Sequence, residues 1–233
     1  MKPIFLKILA IFSLIILISC NSETAVIPPE AKLVTVKYLA LGDSYTIGQS
    51  VCIDCRFPEQ LKSALQSNFY KDAFSLQIIA TTGWTTTNLI TALNNFQPKN
   101  DFDLVTLLIG VNNQYQNKAF SVYEQEFPEL VNRSIAFAKG DKTNIIVVSI
   151  PDYAYTPFGQ GASNISTAIA QYNTFAANYC SQNTITFVNI TDITQRGFIE
   201  PNLVATDGLH PSQIAYAKFV ERLLPKAIEI LQN

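Results

Sequence analysis

The sequence predicts an α/β protein, a single domain in which five strands alternate with helices and form a parallel sheet. Two observations indicate this fold class. From residue 34 onward, runs rich in β-branched residues alternate with segments of helical apolar spacing. Two of the runs, residues 104–109 and 144–150, are almost entirely apolar, as expected for strands buried on both faces. We therefore expect helices on both faces of the sheet.

The first half of the domain contains three predicted strands and two predicted helices. Gly42 ends the first strand, and Leu61 and Leu65 lie one helical turn apart on the first helix. The second strand is a short apolar run. The predicted order is strand 34–41, helix 58–68, strand 74–80, helix 85–95 and strand 104–109.

The second half continues the same alternation. Pro151 stops the fourth strand, and Pro211 suits a position at or near the first turn of the last helix. The predicted order is helix 123–139, strand 144–150, helix 166–180, strand 184–190 and helix 211–231. Periodicity does not determine the order of the strands within the sheet.

The N-terminal segment has the composition of an export signal. Lys7 interrupts an apolar stretch, residues 4–18, that is shorter than the roughly 20 residues of a membrane span. It ends in Leu-Ile-Ser-Cys, which resembles the lipobox of bacterial lipoproteins. We predict a signal peptide over residues 1–19, with the lipid-attachment cysteine, Cys20, and a flexible tether over residues 20–33.

This anchor predicts a location in the bacterial cell envelope, on the periplasmic or surface side. Asn21 after the cysteine is no evident retention signal, so we expect the outer membrane rather than the inner membrane. Residues 34–233 then form the single folded domain. We expect this domain to be a monomer.

The charge and composition of the chain argue against nucleic acid as a partner and against a metal site. The chain has 16 Lys and Arg against 18 Asp and Glu, a formal net charge of −2. Because residues 1–19 hold two lysines and no acidic residue, their removal makes the net charge −4. No basic stripe exists, so nucleic acid is not an expected partner. The chain has 1 histidine, which excludes a multi-histidine metal site, and no metal is expected.

The pair Cys52 and Cys55 permits three interpretations: a redox pair, half of a metal site or a structural disulfide. Zinc would need two further ligands, which Cys180 and one histidine do not easily supply. A redox pair belongs at the start of a helix after a strand, where the Gly-Asp-Ser turn already lies. A structural disulfide, or a pair of free thiols, is favoured.

Three residues carry the groups of a serine hydrolase. Serine is a poor nucleophile unless a base takes its proton, and His210 is the only imidazole available. Asp207, three residues earlier, can reach the ring nitrogen that faces away from the nucleophile. Ser44 lies in the Gly-Asp-Ser turn after the first predicted strand. The alternative is that His210 is a loop or helix-start histidine without a task.

The candidate residues all follow predicted strands. Ser44 follows the first strand, Gly83 the second, Asn112 the third, and the pair Asp207 and His210 the fifth. Open parallel sheets bind ligands at this edge. The backbone N–H groups at positions 44 and 83 and the amide at position 112 are candidate donors to an oxyanion. The alternatives are a plain turn glycine at position 83 and a helix N-cap at position 112.

Four short blocks resemble those of the SGNH, or GDSL-like, hydrolase family, in family order. They are Gly42-Asp43-Ser44-Tyr45, Gly83, Gly110-Val111-Asn112-Asn113 and Asp207-Gly208-Leu209-His210-Pro211. The resemblance implies a flavodoxin-like three-layer α/β/α sandwich and ester hydrolysis through an acyl-serine, without cofactor. It assigns the nucleophile to Ser44, the other triad positions to Asp207 and His210, and the oxyanion donors to Ser44, Gly83 and Asn112.

Two positions depart from the family pattern. Tyr45 replaces the leucine of the named motif, a change that should not touch the chemistry. Asn113 stands where many members carry aspartate, which puts local hydrogen bonding in question. The Gly-x-Ser-x-Gly elbow of ordinary α/β-hydrolases is absent around both Ser44 and Ser163, which disfavours that class.

The substrate is expected to be a small-molecule or glycan ester with a short acyl group. Two loops at the predicted active edge carry the aromatic residues Tyr153, Tyr155, Phe158 and Phe198, which either cover the sheet edge or line the crevice. No apolar segment remains for a lid over a long chain. The alternatives are a lysophospholipase, lipase or thioesterase on the same triad, acyl transfer to an alcohol, and a binding module without catalysis.

Overall fold

The computed structural model describes residues 34–232, in which five strands form one parallel sheet. The strands are β1 (Thr35–Gly42), β2 (Ala73–Ala80), β3 (Leu104–Leu108), β4 (Ile145–Val148) and β5 (Thr186–Val188). Their order is β2-β1-β3-β4-β5, the flavodoxin-like order. The predicted α/β fold is confirmed. The predicted signal peptide, Cys20 and tether lie outside the described residues and stay predictions.

The helices fall into a long and a short group. The long helices are α2 (Phe57–Asn68), α3 (Thr86–Phe96), α5 (Phe120–Phe137), α6 (Ser163–Asn183) and α8 (Gln213–Leu231). Sequence periodicity predicted all five, with boundaries that differ by a few residues. The short helices are α1 (Ser44–Ile47), α4 (Val111–Tyr115) and α7 (Thr191–Thr194), and none of these was predicted. Within residues 34–232, no helix is long and apolar enough to span a membrane.

The strand order determines which face each long helix covers. The chain moves one way across the sheet from β1 to β2 and the other way from β2 onward. With right-handed crossovers, α2 must lie on one face and α3, α5 and α6 on the other. The contacts agree, because α2 packs against α8, while α3 and α6 both pack against α5. The sheet is therefore the middle of three layers.

The central strands are buried along their whole length, which explains their apolar sequences. Every residue of β3 and β4 is buried. The one polar side chain among them, Thr106, has a partner on β1, because its Oγ1 lies 2.8 Å from the Tyr38 hydroxyl. Burial raises the pKa of Tyr38 well above its ordinary value, so the phenol stays neutral. The pair satisfies two polar groups that would otherwise destabilise the core.

Two predicted boundaries differ from the structure by two residues at the carboxyl end of the chain. The last helix begins at Gln213, with Ser212 as its N-cap, so Pro211 lies near its first turn but not in it. Pro211 instead forms an isolated antiparallel bridge with Val204. The fifth strand ends at Val188, before the predicted 190. The chain just beyond this strand is held by a side chain, because Ser149 Oγ accepts the Ile190 N–H at 2.8 Å.

Candidate active site

A sharp turn between β1 and α1 places Ser44 at the edge of the sheet. Ser44 is the first residue of α1, and Asp43 caps the helix by accepting the Tyr45 N–H at 3.0 Å. The turn requires glycine at position 42. A Cβ there would lie 2.1 Å from Thr46 Oγ1 and 2.4 Å from the Leu108 carbonyl oxygen. The Gly-Asp-Ser sequence is therefore the local cause of the position of Ser44.

The predicted contact between Asp207 and His210 is present. Asp207 Oδ2 lies 2.6 Å from His210 Nδ1, and Oδ1 accepts the backbone N–H groups of Leu209 and His210 at 3.0 Å each. Partial burial raises the pKa of Asp207, but hydrogen bonds, first from Ser50 and then from His210 and the two amides, outweigh this effect. The net pKa lies well below the usual range, so the carboxylate stays charged.

An aromatic side chain packs against the His210 imidazole. Tyr45 packs against the His210 ring, with ring centroids 5.3 Å apart and an interplanar angle of 52°. Both side chains are buried, with exposed fractions of 3% and 8%. The tyrosine that replaces the family's leucine therefore contacts the histidine directly, a contact that the sequence did not reveal.

Ser44, Gly83, Asn112 and His210 line one cavity of about 190 Å³, which opens at the carboxyl edge of the sheet. Asp207 lies behind the histidine and is not part of the wall. The chain thus brings together residues from four separate segments, as the sequence predicted. The remaining wall residues are Tyr45, Thr82, Val111, Tyr115, Tyr153, Phe158 and Leu209.

The loop after β2 presents Gly83 to the cavity. Its φ of +85° is a left-handed conformation that favours glycine. A Cβ at this position would meet no atom within 4 Å, so space alone does not require the glycine. Gln116 Nε2 donates to the Gly83 carbonyl oxygen at 2.8 Å and restricts the peptide that follows Gly83.

Asn112 is the second residue of α4, and Gly110 is the N-cap of that helix, so the alternative role of Asn112 as an N-cap is wrong. Its Nδ2 donates to the Trp84 carbonyl oxygen at 3.1 Å and to Asp43 Oδ2 at 3.4 Å. The second distance exceeds the usual range for a strong bond. An oxyanion in the cavity can replace that weaker acceptor.

Asn113 joins α4 to the start of α3. It donates through Nδ2 to Thr86 Oγ1 at 2.6 Å and accepts the Thr86 N–H through Oδ1 at 2.9 Å. Thr86 Oγ1 in turn donates to Glu126. An ionised aspartate at position 113 could accept but not donate. The asparagine at position 113 therefore donates a hydrogen bond that an ionised aspartate could not.

Asp43 is fully buried beside the nucleophile candidate, and burial raises its pKa from 3.8 to about 7. Hydrogen bonds from the Tyr45 N–H and the Asn112 amide only partly offset this desolvation. The folded protein therefore holds a proton on Asp43 at pH values where the unfolded chain has lost it. Stability from this group declines as the pH rises from about 4 to about 7.

We expect Asp43→Asn to gain stability relative to the wild type as the pH rises. Asparagine can still accept the Tyr45 N–H but has no proton to lose, so its buried side chain does not become charged. Urea unfolding of both proteins at pH 5 and pH 8 measures the change. Other titrating groups are common to both and cancel in the difference. If the difference in unfolding free energy between the two proteins is the same at both pH values, protonation of Asp43 does not contribute to the stability of the fold.

Only two of the four predicted loop aromatics reach the cavity. Tyr153 and Phe158 line it, with ring centroids 6.2 Å apart. Tyr155 and Phe198 do not line it but pack on each other, with centroids 6.2 Å apart. Another aromatic residue of the wall, Tyr115, was missed by the sequence reasoning. Its position three residues after Asn112, on the same helix, was the signal that could have found it.

The cysteines have structural positions. Cys52 and Cys55 form a disulfide, as favoured from the sequence. Cys180 is a buried free thiol on α6, and burial raises its pKa to about 12, which makes it a poor nucleophile. Across the described part of the chain, no group of three or more histidine, cysteine and acidic side chains could hold a metal ion.

The position of these groups along the sheet identifies a class of enzyme. The serine begins a short helix after β1, next to β3, where the strand order reverses, and the histidine lies in the segment after β5. Ordinary α/β-hydrolases instead carry the serine in a Gly-x-Ser-x-Gly elbow. The fold and the four sequence blocks together are those of SGNH-type hydrolases.

Comparison with known proteins confirms this class. Residues 40–218 match the GDSL-like Lipase/Acylhydrolase family, and the chain belongs to that family. It is therefore an ester hydrolase of the SGNH type. No curated protein matches the sequence of the chain.

Solved structures share the fold at low sequence identity. An acetylxylan esterase from Geobacillus stearothermophilus is 18% identical with a TM-score of 0.65, over 82% of this chain and 94% of that one. An α/β hydrolase enzyme from the metagenome of Lake Arreo, Spain, is 19% identical with a TM-score of 0.65, over 86% and 98%. A GDSL-family lipolytic protein from Veillonella parvula is 14% identical with a TM-score of 0.63, over 85% and 99%.

Proposed function

We propose that this enzyme hydrolyses short-acyl carboxylic esters, with acetylated carbohydrates as the favoured substrates, through a covalent acyl-serine intermediate. The observation that carries the proposal is the small cavity whose wall contains both Ser44 and His210, with Asp207 bonded to the far side of the imidazole. A nucleophile, a base and an orienting carboxylate are the three parts that this chemistry needs.

In the acylation step, His210 takes the proton of the Ser44 hydroxyl as the serine oxygen attacks the ester carbonyl carbon. The tetrahedral intermediate collapses when the alcohol leaves with that proton. His210 then takes a proton from water as the water oxygen attacks the acyl carbon, and the carboxylic acid leaves as His210 returns that proton to the Ser44 oxygen. Asp207 holds the imidazole in the tautomer whose other nitrogen faces the serine and stabilises the imidazolium between these transfers. No cofactor takes part in this proposed sequence.

Negative charge develops on the carbonyl oxygen during both steps. The proposed donors are the backbone N–H groups of Ser44 and Gly83 and the Nδ2 group of Asn112, all in residues of one wall. The Asn112 donor is held before the substrate arrives, because its amide also donates to the Trp84 carbonyl oxygen. Preorganised donors stabilise a developing charge more than water does.

The size and lining of the cavity support a short acyl group. A volume of about 190 Å³ is below the roughly 300–1,000 Å³ of sites for drug-sized ligands. Tyr115, Tyr153 and Phe158 form one wall, with ring centroids 6.0–6.2 Å apart. Tyr115 and Phe158 are about half exposed, at 53% and 48%, and present flat surfaces to solvent at the rim. Such surfaces suit a sugar ring, and the similarity to an acetylxylan esterase supports the same substrate class.

We expect catalytic efficiency on aryl esters to be highest for acyl groups of two to four carbons. A longer acyl chain gains about 0.8 kcal/mol of binding free energy per methylene only where the protein buries that methylene. The cavity is too small to bury many methylene groups. The measurement is kcat/KM across a series from two to twelve carbons, below the micelle concentration of each ester. A steady rise to twelve carbons would favour a lipase or lysophospholipase instead.

Two controls accompany this series. Acetate release from acetylated xylo-oligosaccharides, compared with an equal concentration of aryl acetate, tests the carbohydrate part of the proposal. Labelling of Ser44 by a fluorophosphonate probe distinguishes an enzyme from a binding module, because only an activated serine reacts. A protein that binds sugar but is not labelled would contradict the proposed chemistry.

A further inference from the structure

A serine outside the triad contacts the triad carboxylate. The Ser50 hydroxyl donates to Asp207 Oδ2 at 2.6 Å, and the same oxygen lies 2.6 Å from His210 Nδ1. The other hydrogen-bond donors to Asp207, two backbone amides and the imidazole, belong to its own turn. Ser50 is 157 residues away in sequence and, among residues 34–232, is the only donor to Asp207 from another part of the fold. An O–H···O⁻ bond of this length is charge-assisted and strong.

The backbone that carries Ser50 adopts a demanding conformation. Ser50 has a φ of +67°, in the left-handed region that favours glycine. A non-glycine residue there costs on the order of 1 kcal/mol, which neighbouring contacts must offset. Glycine would suit this backbone better but carries no hydroxyl. A serine is therefore present on a backbone that glycine would suit better.

The loop around Ser50 is held at several points. Gly48 ends α1 in the left-handed conformation, and Gln49 Oε1 accepts the Thr82 hydroxyl at 2.7 Å. The disulfide between Cys52 and Cys55 closes the next turn of the loop. Adjacent residues thus connect the nucleophile helix to the loop before Gly83 and to the turn of Asp207. The loop therefore holds the Ser50 hydroxyl in one position.

The exposed Ser50 is not part of the cavity wall. Its hydrogen bond is among the causes that lower the pKa of Asp207. The bond also restricts rotation of the carboxylate, whose Oδ2 must face the imidazole if His210 is to keep the right tautomer. Asp207 is therefore the triad group that Ser50 contacts and through which it can act on turnover.

We infer that Ser50 is a positioning residue of the triad: its hydroxyl holds Asp207 Oδ2 in the orientation that binds His210 Nδ1. This inference rests on the proposed function, because it assumes that Asp207 and His210 act in ester hydrolysis. The alternative is that Ser50 only ties its loop to the surface of the domain.

The test compares Ser50→Ala and Ser50→Gly in the full chain, with an aryl acetate as substrate. Both variants lose the hydroxyl, but glycine also removes the backbone strain. We expect kcat to fall about 10-fold in both, since a hydrogen bond to a charged group is lost, and KM to stay unchanged. Ser67→Ala, which removes an exposed hydroxyl bonded to its own helix, is the matched control. If Ser50→Ala does not fold, Ser50→Gly decides the outcome.

A double-mutant cycle with Asp207→Asn separates the two roles. If Ser50 acts through Asp207, Ser50→Gly has little further effect on kcat once the carboxylate is gone. An equal loss in both backgrounds, or wild-type kcat in Ser50→Gly, overturns the inference. Failure of the proposed function looks different, because Ser44→Ala would then keep wild-type activity. If Ser44→Ala is inactive and Ser50→Gly is fully active, only the inference about Ser50 fails.

Discussion

Replacing His210 by alanine is expected to lower kcat for an unactivated ester by about 10⁴–10⁶-fold, the range typical of serine-hydrolase triads. The chain contains no second imidazole, so no other histidine can take the serine proton. Ser44→Ala should lose a similar amount. The double variant should be little worse than either single one, because the two residues act as one unit.

The control for this pair is Ser163→Ala, which changes the serine of another Gly-x-Ser sequence, Gly161-Ala162-Ser163. Ser163 is exposed at the start of α6, outside the cavity, and its variant should keep full activity. Urea unfolding of each variant shows whether the fold is retained. Near-normal kcat in His210→Ala would mean that a different group activates the serine.

Replacing Asn112 by alanine is expected to lower kcat by about 10²–10³-fold, the usual effect of removing one oxyanion donor. The amide lies in the wall of the cavity, and its longer hydrogen bond, 3.4 Å to Asp43, is the one that an oxyanion can replace. KM should change little, because the donor acts mainly on the charge that develops in the transition state.

Asn68→Ala is the matched control for this change. Its Nδ2 donates to a carbonyl oxygen of its own helix, at an exposed position of α2. The rate of fluorophosphonate labelling gives an independent measurement, because that reaction also places negative charge on an oxygen near the donors. A variant Asn112→Ala with raised KM and unchanged kcat would make Asn112 a substrate-binding residue instead of an oxyanion donor.

Sequence alone predicted the fold class because burial leaves a direct trace in residue type. The segments that became β3 and β4 are buried throughout and are apolar almost throughout. The long helices were found because each has one apolar face. The candidate site residues could also be predicted from the strands that they follow, because all carboxyl ends of parallel strands lie at one edge of the sheet. The positions of Ser44, Asn112 and His210 around one cavity followed from this rule.

Contacts between residues that are close in sequence were also predictable, because their spacing limits where their side chains can lie. The contact between Asp207 and His210 spans three residues of one turn, so spacing was enough to suggest it. For Cys52 and Cys55 the sequence favoured a structural disulfide or free thiols over a metal or redox site, and the structure has the disulfide. The capping of α1 by Asp43 and the tight packing around Gly42 were not predicted, although the motif that contains them was recognised.

Only the tertiary structure decided which distant side chains meet. The order of the strands, the contact of Ser50 with Asp207 and the place of Tyr115 in the cavity wall depend on how separate segments pack. The same packing keeps Tyr155 and Phe198 away from the cavity, although they lie in the predicted loops. Periodicity reports whether a residue is buried but not against what, because the partner is chosen by the close packing of the whole chain.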